Sequence, residues 1–166
     1  MATPLILLPP SEGKAGGGTG PPWADSPQSF PDLAVHRRKV IAALVDAMAG
    51  PVETRSRILG VGAAKADEAA AANRSVDSAL TLPAIQRYTG VLYDALDYPA
   101  LSTAVRHGVD RQVVIFSGLW GAVRPADPIP DYKLKMGATL PGLGKPARFW
   151  KPLLTDALTG AASGTV

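Results

Sequence analysis

The strand-favouring run Gln112–Phe116 ends abruptly in Ser117-Gly118-Leu119-Trp120-Gly121-Ala122-Val123-Arg124-Pro125. A short run of branched and aromatic residues favours a buried strand, and the paired glycines that follow end it in a tight turn. Arg124, Asp127, Tyr132 and Lys133 then come within a few residues of that turn. Core packing does not require this order, whereas ligands collect at strand ends in α/β folds. The segment is therefore read as the edge of a site.

The rest of the chain supplies a second strand and several helices. Leu5–Leu8 is predicted to be a short buried strand, stopped by Pro9-Pro10, which cannot continue a ladder. Residues 10–29, with Gly16-Gly17-Gly18, Gly20 and Pro21-Pro22, read as a flexible surface loop. A phosphate-loop template fails there, because Gly13-Lys14 is followed by Ala15 rather than Ser or Thr. A helix is predicted from Pro31 to Ala49, with Leu33, Val40, Ile41, Leu44, Val45 and Met48 on its apolar face and Gly50-Pro51 ending it. Its Arg37-Arg38-Lys39 cluster is assigned to the solvated face, a phosphate-facing role being the alternative. Further helices are predicted at Val52–Leu59, Ala63–Ala72, Leu82–Tyr88 and Pro99–His107, the last closed by Gly108, and at Pro146–Leu158, interrupted at Pro152. Tyr132–Met136 alternates like a half-buried strand, with Lys133 and Lys135 on one face, and Thr165-Val166 reads as the start of another. The fold class expected is α+β or mixed α/β: a single domain over residues 1–166 with a central, mostly buried sheet flanked by helices.

With 166 residues, 46% of them hydrophobic, the chain can bury one core. No apolar run approaches the ~20 residues of a membrane helix, and Leu5–Leu8 is too short for a secretory core and lacks a basic flank. A cytoplasmic location without a membrane partner is the expectation. There is no cysteine, and His36 and His107 lie far apart, so neither a metal site nor a cofactor is expected. The net charge of +3 permits nucleic-acid binding without demanding it.

Two clusters carry candidate chemistry. Ile58-Leu59-Gly60-Val61-Gly62-Ala63-Ala64-Lys65-Ala66 resembles the hairpin of a helix-hairpin-helix DNA-binding element. Its glycines permit a tight reversal and leave amides uncovered at the next helix start, where a phosphate meets the helix dipole and Lys65. Gly60, Gly62 and Lys65 would then hold a DNA backbone without reading sequence; the alternative is an ordinary corner between two helices. The second cluster joins Ser11, Glu12 and Lys14 to Arg124, Lys133, Lys135 and Lys145 as a basic cleft for phosphate or carboxylate, against the alternative that these side chains disperse over the surface. Ser117 lacks the flanking glycine and nearby His of a hydrolase nucleophile and is assigned to capping its turn. Tyr88 is read as a buried ring with a wet hydroxyl, Asp127 as a partner of Arg124, Asp94 and Asp97 as a solvated edge, and Trp23, Trp120 and Trp150 as core anchors.

Four ordered segments carry a family resemblance: Leu8-Pro9-Pro10-Ser11-Glu12-Gly13-Lys14, Arg87-Tyr88-Thr89-Gly90, the run from Ser117 to Gly137, and Gly144-Lys145 through Phe149-Trp150. Together they resemble the YaaA family of bacterial peroxide-stress proteins. The resemblance implies protection of DNA and proteins from hydrogen peroxide through limitation of free intracellular iron. It favours DNA contact through Gly60, Gly62, Lys65, Lys14, Arg124 and Lys133. It also implies that family members continue beyond Val166, so that the C-terminal part of the family fold is missing; if that part contributes strands to the sheet, Leu5–Leu8 or Gln112–Phe116 would be left at an exposed edge. The rival reading is an enzyme acting on a phosphorylated or carboxylated small molecule such as a nucleotide, with Ser11, Lys14 and Tyr132 at its centre and no general base identified.

Overall fold

The computed structural model describes residues 4–162. In chain order its elements are β1 (Ile6–Leu8), α1 (Ala34–Ala47), α2 (Val52–Leu59), α3 (Ala63–Arg74), β2 (Leu82–Pro83), α4 (Ala84–Arg87), α5 (Val91–Leu96), α6 (Thr103–Gln112), β3 (Val113–Ser117), β4 (Gly121–Val123), β5 (Pro128–Ile129) and α7 (Pro146–Ala162). The main sheet has the order β1-β3-β4. β1 runs parallel to β3 with Leu8 opposite Ile115, and β4 returns antiparallel with Gly121 opposite Ser117. A parallel neighbour requires a long crossover, and here α1 through α6 supply it. β2 and β5 form a second, two-stranded antiparallel sheet. The mixed α and β architecture agrees with the expected class.

β3 and β4 are buried, but β1 is not: Ile6 and Leu7 keep 47% and 48% of their surface exposed. The expectation of a buried first strand fails: β1 lies at an edge of the sheet, and Ile6 and Leu7 stay open to solvent there, whereas β4, at the other edge, is covered.

The larger correction concerns Arg37, which is fully buried rather than solvated. Its Nε donates to the Trp120 carbonyl at 2.9 Å, and its Nη2 donates to the carbonyls of Ser29 at 2.9 Å and Ala122 at 2.8 Å. The helical phase explains this, since residue 37 shares a face with buried Val40, Ile41 and Leu44. Burial lowers its pKa to about 10, so it stays cationic at neutral pH. Arg38, by contrast, is exposed, pairs with Asp77 at 2.7 Å and lies over the Trp23 ring.

The turn between β3 and β4 is packed too tightly for side chains. Gly121 has φ +76°, and a Cβ there would stand 2.8 Å from the Trp150 ring; one at Gly118 would stand 2.7 Å from the Leu134 carbonyl. Trp150 also donates its indole N–H to the Gly118 carbonyl at 2.9 Å, tying α7 to the turn.

Several sequence-based boundaries shift. Residues 82–88 form a two-residue strand and one helical turn, because Ala84 and Ile85 donate to the Asp127 and Pro125 carbonyls. α6 starts after Ser102, whose hydroxyl accepts from the Val105 amide, and runs through Gly108 to Gln112, while residues 98–100 form a separate 3-10 turn. α7 continues through Pro152, with buried Trp150 and Leu154 anchoring the helix on either side. Residues 13–20 are tied down: the buried Arg87 guanidinium donates to the carbonyls of Ala15, Gly17 and Ile129, and Gly20 bridges Thr81. The expected strand start at Thr165-Val166 lies outside the described residues.

Arg37→Met should cost about 3 kcal/mol or more in chemical denaturation, since it strands buried carbonyls that each carry a desolvation penalty of about 1–3 kcal/mol, whereas Arg38→Met should change stability by less than about 1 kcal/mol. Equal effects would contradict the assigned role of Arg37. Gly121→Ala should lower the denaturation midpoint as well, through both φ strain and contact with Trp150.

Candidate functional site

The site lies beyond the C-terminal end of β1. Lys14 is held there by an antiparallel bridge to Tyr88, and the Ser11 hydroxyl donates to the Thr89 carbonyl. The Lys14 ammonium donates to the Ser11 carbonyl at 3.3 Å and stands 4.3 Å from the centre of the Tyr132 ring and 5.5 Å from that of Tyr88. Burial draws its pKa from 10.5 to about 8; Asp131 and Glu12 oppose the shift, while Lys133 and Arg87 add to it.

Beneath Lys14 a polar chain fixes the floor of the site. The Leu119 and Trp120 amides donate to the Ser117 hydroxyl oxygen at 3.2 and 3.0 Å, so Ser117 caps its turn. With both lone pairs taken, Ser117 donates its own proton to the Tyr132 hydroxyl at 2.7 Å, and the Tyr132 and Tyr88 hydroxyls share a hydrogen bond of 2.6 Å. Both tyrosines are 2% exposed, so the Tyr88 hydroxyl is buried rather than wet. Burial raises the pKa of Tyr132 to about 12 and that of Tyr88 well above its usual value.

The segment after Asp131 forms the wall. It shows the expected alternation, with Tyr132 and Leu134 buried and Lys133 and Lys135 turned outward, yet it is not a strand. The buried Asn73 side chain of α3 stands in for a neighbouring strand, donating to the Lys133 carbonyl at 2.9 Å and accepting from the Lys133 amide at 2.8 Å. Lys135 donates to Glu12 at 3.0 Å, and Lys133 lies 3.9 Å from the same carboxylate. The hydrogen bond from Lys135, with both lysines' charges, holds the Glu12 carboxyl below its usual pKa.

A cavity of about 150 Å³ lies among Ser11, Glu12, Lys14, Tyr132, Lys133 and Lys135. A second of about 180 Å³, lined by Val61, Lys65, Glu68, Asp131, Tyr132 and Lys133, opens beside it. Tyr132 and Lys133 are common to both linings. The corner between α2 and α3 borders the second cavity, so Lys14, Lys133 and the Gly60-Gly62 turn belong to one contiguous surface. The two glycines differ in kind. Gly60 has φ +65°, and a Cβ there would meet Lys135 Nζ at 3.1 Å; Gly62 is extended at φ −67°, with open space where a Cβ would stand. Lys65 is exposed at the start of α3.

Arg124 does not join this cleft. It follows β4, and its Nη1 donates to the carbonyls of Arg111 at 2.8 Å and Val113 at 3.3 Å, at the start of β3, whereas Lys14 leaves the sheet beyond the opposite end. Asp127 holds the turn through the Arg124 backbone amide at 2.9 Å and through Ser29. Lys145 is exposed at the start of α7. Asp131 and Asn73 were not singled out from sequence, and Arg87 entered only as part of the Arg87–Gly90 segment that carries the resemblance, with no role in the site; the adjacency of Asp131 and Arg87 to the quoted tyrosines was the one signal for them. Among the described residues no group of three or more His, Asp or Glu side chains is arranged to hold a metal ion, and no helix is long and apolar enough to cross a membrane.

Lys14 binds its proton less tightly in the folded chain than in the unfolded one. Its buried charge therefore costs stability in full below about pH 8, and the cost is lifted as pH rises from about 8 toward 10.5. The tyrosines, whose pKa values are raised from 10, begin to lower stability near pH 10 and oppose the gain only at the top of that range. Stability measured by denaturation between about pH 8 and 10 should rise for the wild-type chain relative to Lys14→Met, and a constant difference across that range would contradict the buried ammonium.

The family profile described as "Peroxide stress protein YaaA" matches residues 5–166. A UPF0246 protein of Streptomyces coelicolor is 43% identical over 158 residues, which cover 95% of this chain and 60% of that protein. UPF0246 proteins of Corynebacterium glutamicum and Corynebacterium efficiens are each 41% identical, over 82% and 94% of this chain and 53% and 62% of their own lengths. The chain thus spans between half and two thirds of these relatives. With the profile matched across almost every residue and the Ser11–Lys14 and Tyr132–Lys135 segments meeting in one site, the chain belongs to the YaaA family of peroxide stress proteins.

Proposed function

We propose that this chain supplies a DNA-backbone grip within a peroxide-stress protein, one that protects DNA and proteins from hydrogen peroxide by limiting free iron. The peroxide role is inferred from the family. The observation that carries the DNA reading is that the Gly60-Gly62 turn, Lys65, Lys133 and Lys135 share one continuous surface with the Lys14 cavity. Amides at the start of α3 have no intrahelical partner by the geometry of a helix start, and Gly62 offers no side chain to cap them. The fold has no steric need for glycine at that position, whereas a phosphate approaching those amides does benefit from it. Contacts of this type are insensitive to sequence and sensitive to salt.

A second reading, an enzyme acting on a phosphorylated or carboxylated small molecule, draws support from the polar side chains that converge on the Lys14 cavity. Its volume of about 150 Å³ lies below the roughly 300–1,000 Å³ of most ligand pockets, which argues against a whole nucleotide.

Titration of a short duplex across a salt series tests the grip. If Lys65, Lys133 and Lys135 each neutralise one phosphate, log K should fall with log salt at a slope of about −3. Lys65→Glu combined with Gly62→Val should abolish binding while leaving the fold intact, because nothing surrounds the added side chain at position 62. Glu12→Gln, which frees Lys133 and Lys135, should tighten binding several-fold. No binding at low salt would sink the reading.

A further inference from the structure

We infer that Lys14 is an amine nucleophile that forms an imine with an aldehyde carried on a phosphorylated sugar, such as the ring-opened abasic deoxyribose of damaged DNA. The inference rests on reading the cleft as a phosphate site, and four features support it. The Lys14 ammonium lines the cavity and is fixed by the Ser11 carbonyl and the Tyr132 ring. Among the described ion pairs Lys14 has none, since Glu12 is engaged by Lys133 and Lys135. The two cations that flank the cavity reach outward, where a phosphate attached to the reacting sugar would lie. The cavity's volume of about 150 Å³ also lies below that of most ligand pockets, which favours the end of a sugar over a sugar with its base.

The groups facing Lys14 decide how often it is a free amine. Asp131 and Glu12 favour the ammonium, Lys133 and Arg87 oppose it, and burial against Tyr88 and Tyr132 outweighs the carboxylates. At a pKa of about 8, roughly one molecule in ten carries the neutral amine at pH 7, against fewer than about one in a thousand for an ordinary lysine. That neutral fraction is what attacks a carbonyl.

The step balances without a further reactant. The Nζ lone pair forms a bond to the aldehyde carbon, and the carbonyl electron pair moves to oxygen. That oxygen takes one proton from the amine and one from solvent and leaves as water. The nitrogen lone pair closes the C=N bond, giving a protonated imine.

Borohydride reduction traps such an imine as a stable adduct. The chain would be incubated separately with a duplex carrying one abasic site and with glyceraldehyde 3-phosphate, and the adduct located by peptide mass spectrometry. An adduct at Lys14, more abundant at pH 8 than at pH 6 and at least tenfold lower in Lys14→Arg, supports the inference. Trapping of the duplex alone identifies DNA as the source of the aldehyde, and trapping of the small molecule alone identifies a free sugar phosphate. No adduct with either probe, an adduct spread over other lysines, or undiminished trapping in Lys14→Arg overturns it. Mapping the wild-type adduct covers the case in which the variant fails to fold. Binding of the undamaged duplex, measured in parallel, separates the two proposals: binding without an adduct overturns only the nucleophile, and a Lys14 adduct without duplex binding overturns only the grip.

Discussion

The site depends on a charge buried far from it in sequence. The Arg37 guanidinium holds the carbonyls of Trp120 and Ala122 and so fixes the turn through which β3 becomes β4. That turn orients Ser117, Ser117 orients Tyr132, and the Tyr132 ring is the surface against which Lys14 rests. A buried arginine is expensive to desolvate. It is retained where several carbonyls would otherwise be left without donors, which is the situation here, with three carbonyls from two segments of backbone meeting at one planar donor group.

The placement of Lys14 and Lys133 together was legible in the sequence because both sit beside strand ends or turns whose residues admit few conformations. Burial of the three tryptophans was legible for a similar reason, since large rings at turn edges find cover. What escaped the sequence was tertiary. Arg37 sits in a basic triplet that looks solvated until its phase with Val40 and Ile41 is considered. Arg124 was placed in the cleft by proximity along the chain, yet the antiparallel return of β4 carries it to the other end of the sheet. The extended stretch after Asp131 has the alternation of a strand but takes its hydrogen bonds from the Asn73 side chain, a substitution that no local pattern announces. Arg87, likewise, reads as one more charged residue until the carbonyls of residues 15 and 17 close around it.

The electrostatics of the cleft are more balanced than a count of lysines suggests. Glu12 lies across Lys133 and Lys135, and Asp131 faces Lys14. Glu12 is largely exposed, with 64% of its side-chain surface open, so its carboxylate is held by charge rather than by packing. On the proposed reading an incoming anion would displace it, and exchange of one anion for another costs less than exposure of two bare ammonium groups.

Gly60 and Gly62 look equivalent when read as letters, but the fold constrains only the first. Gly60 is required by its own backbone and by the Lys135 stem laid against it, while Gly62 faces open space in a conformation available to any residue. Selection for folding alone would let position 62 drift freely across descendants of this chain. A lineage that kept glycine at 60 and lost it at 62 would retain the architecture while giving up the phosphate contact proposed for the second glycine, so the two positions together would separate inheritance of shape from inheritance of that proposed use.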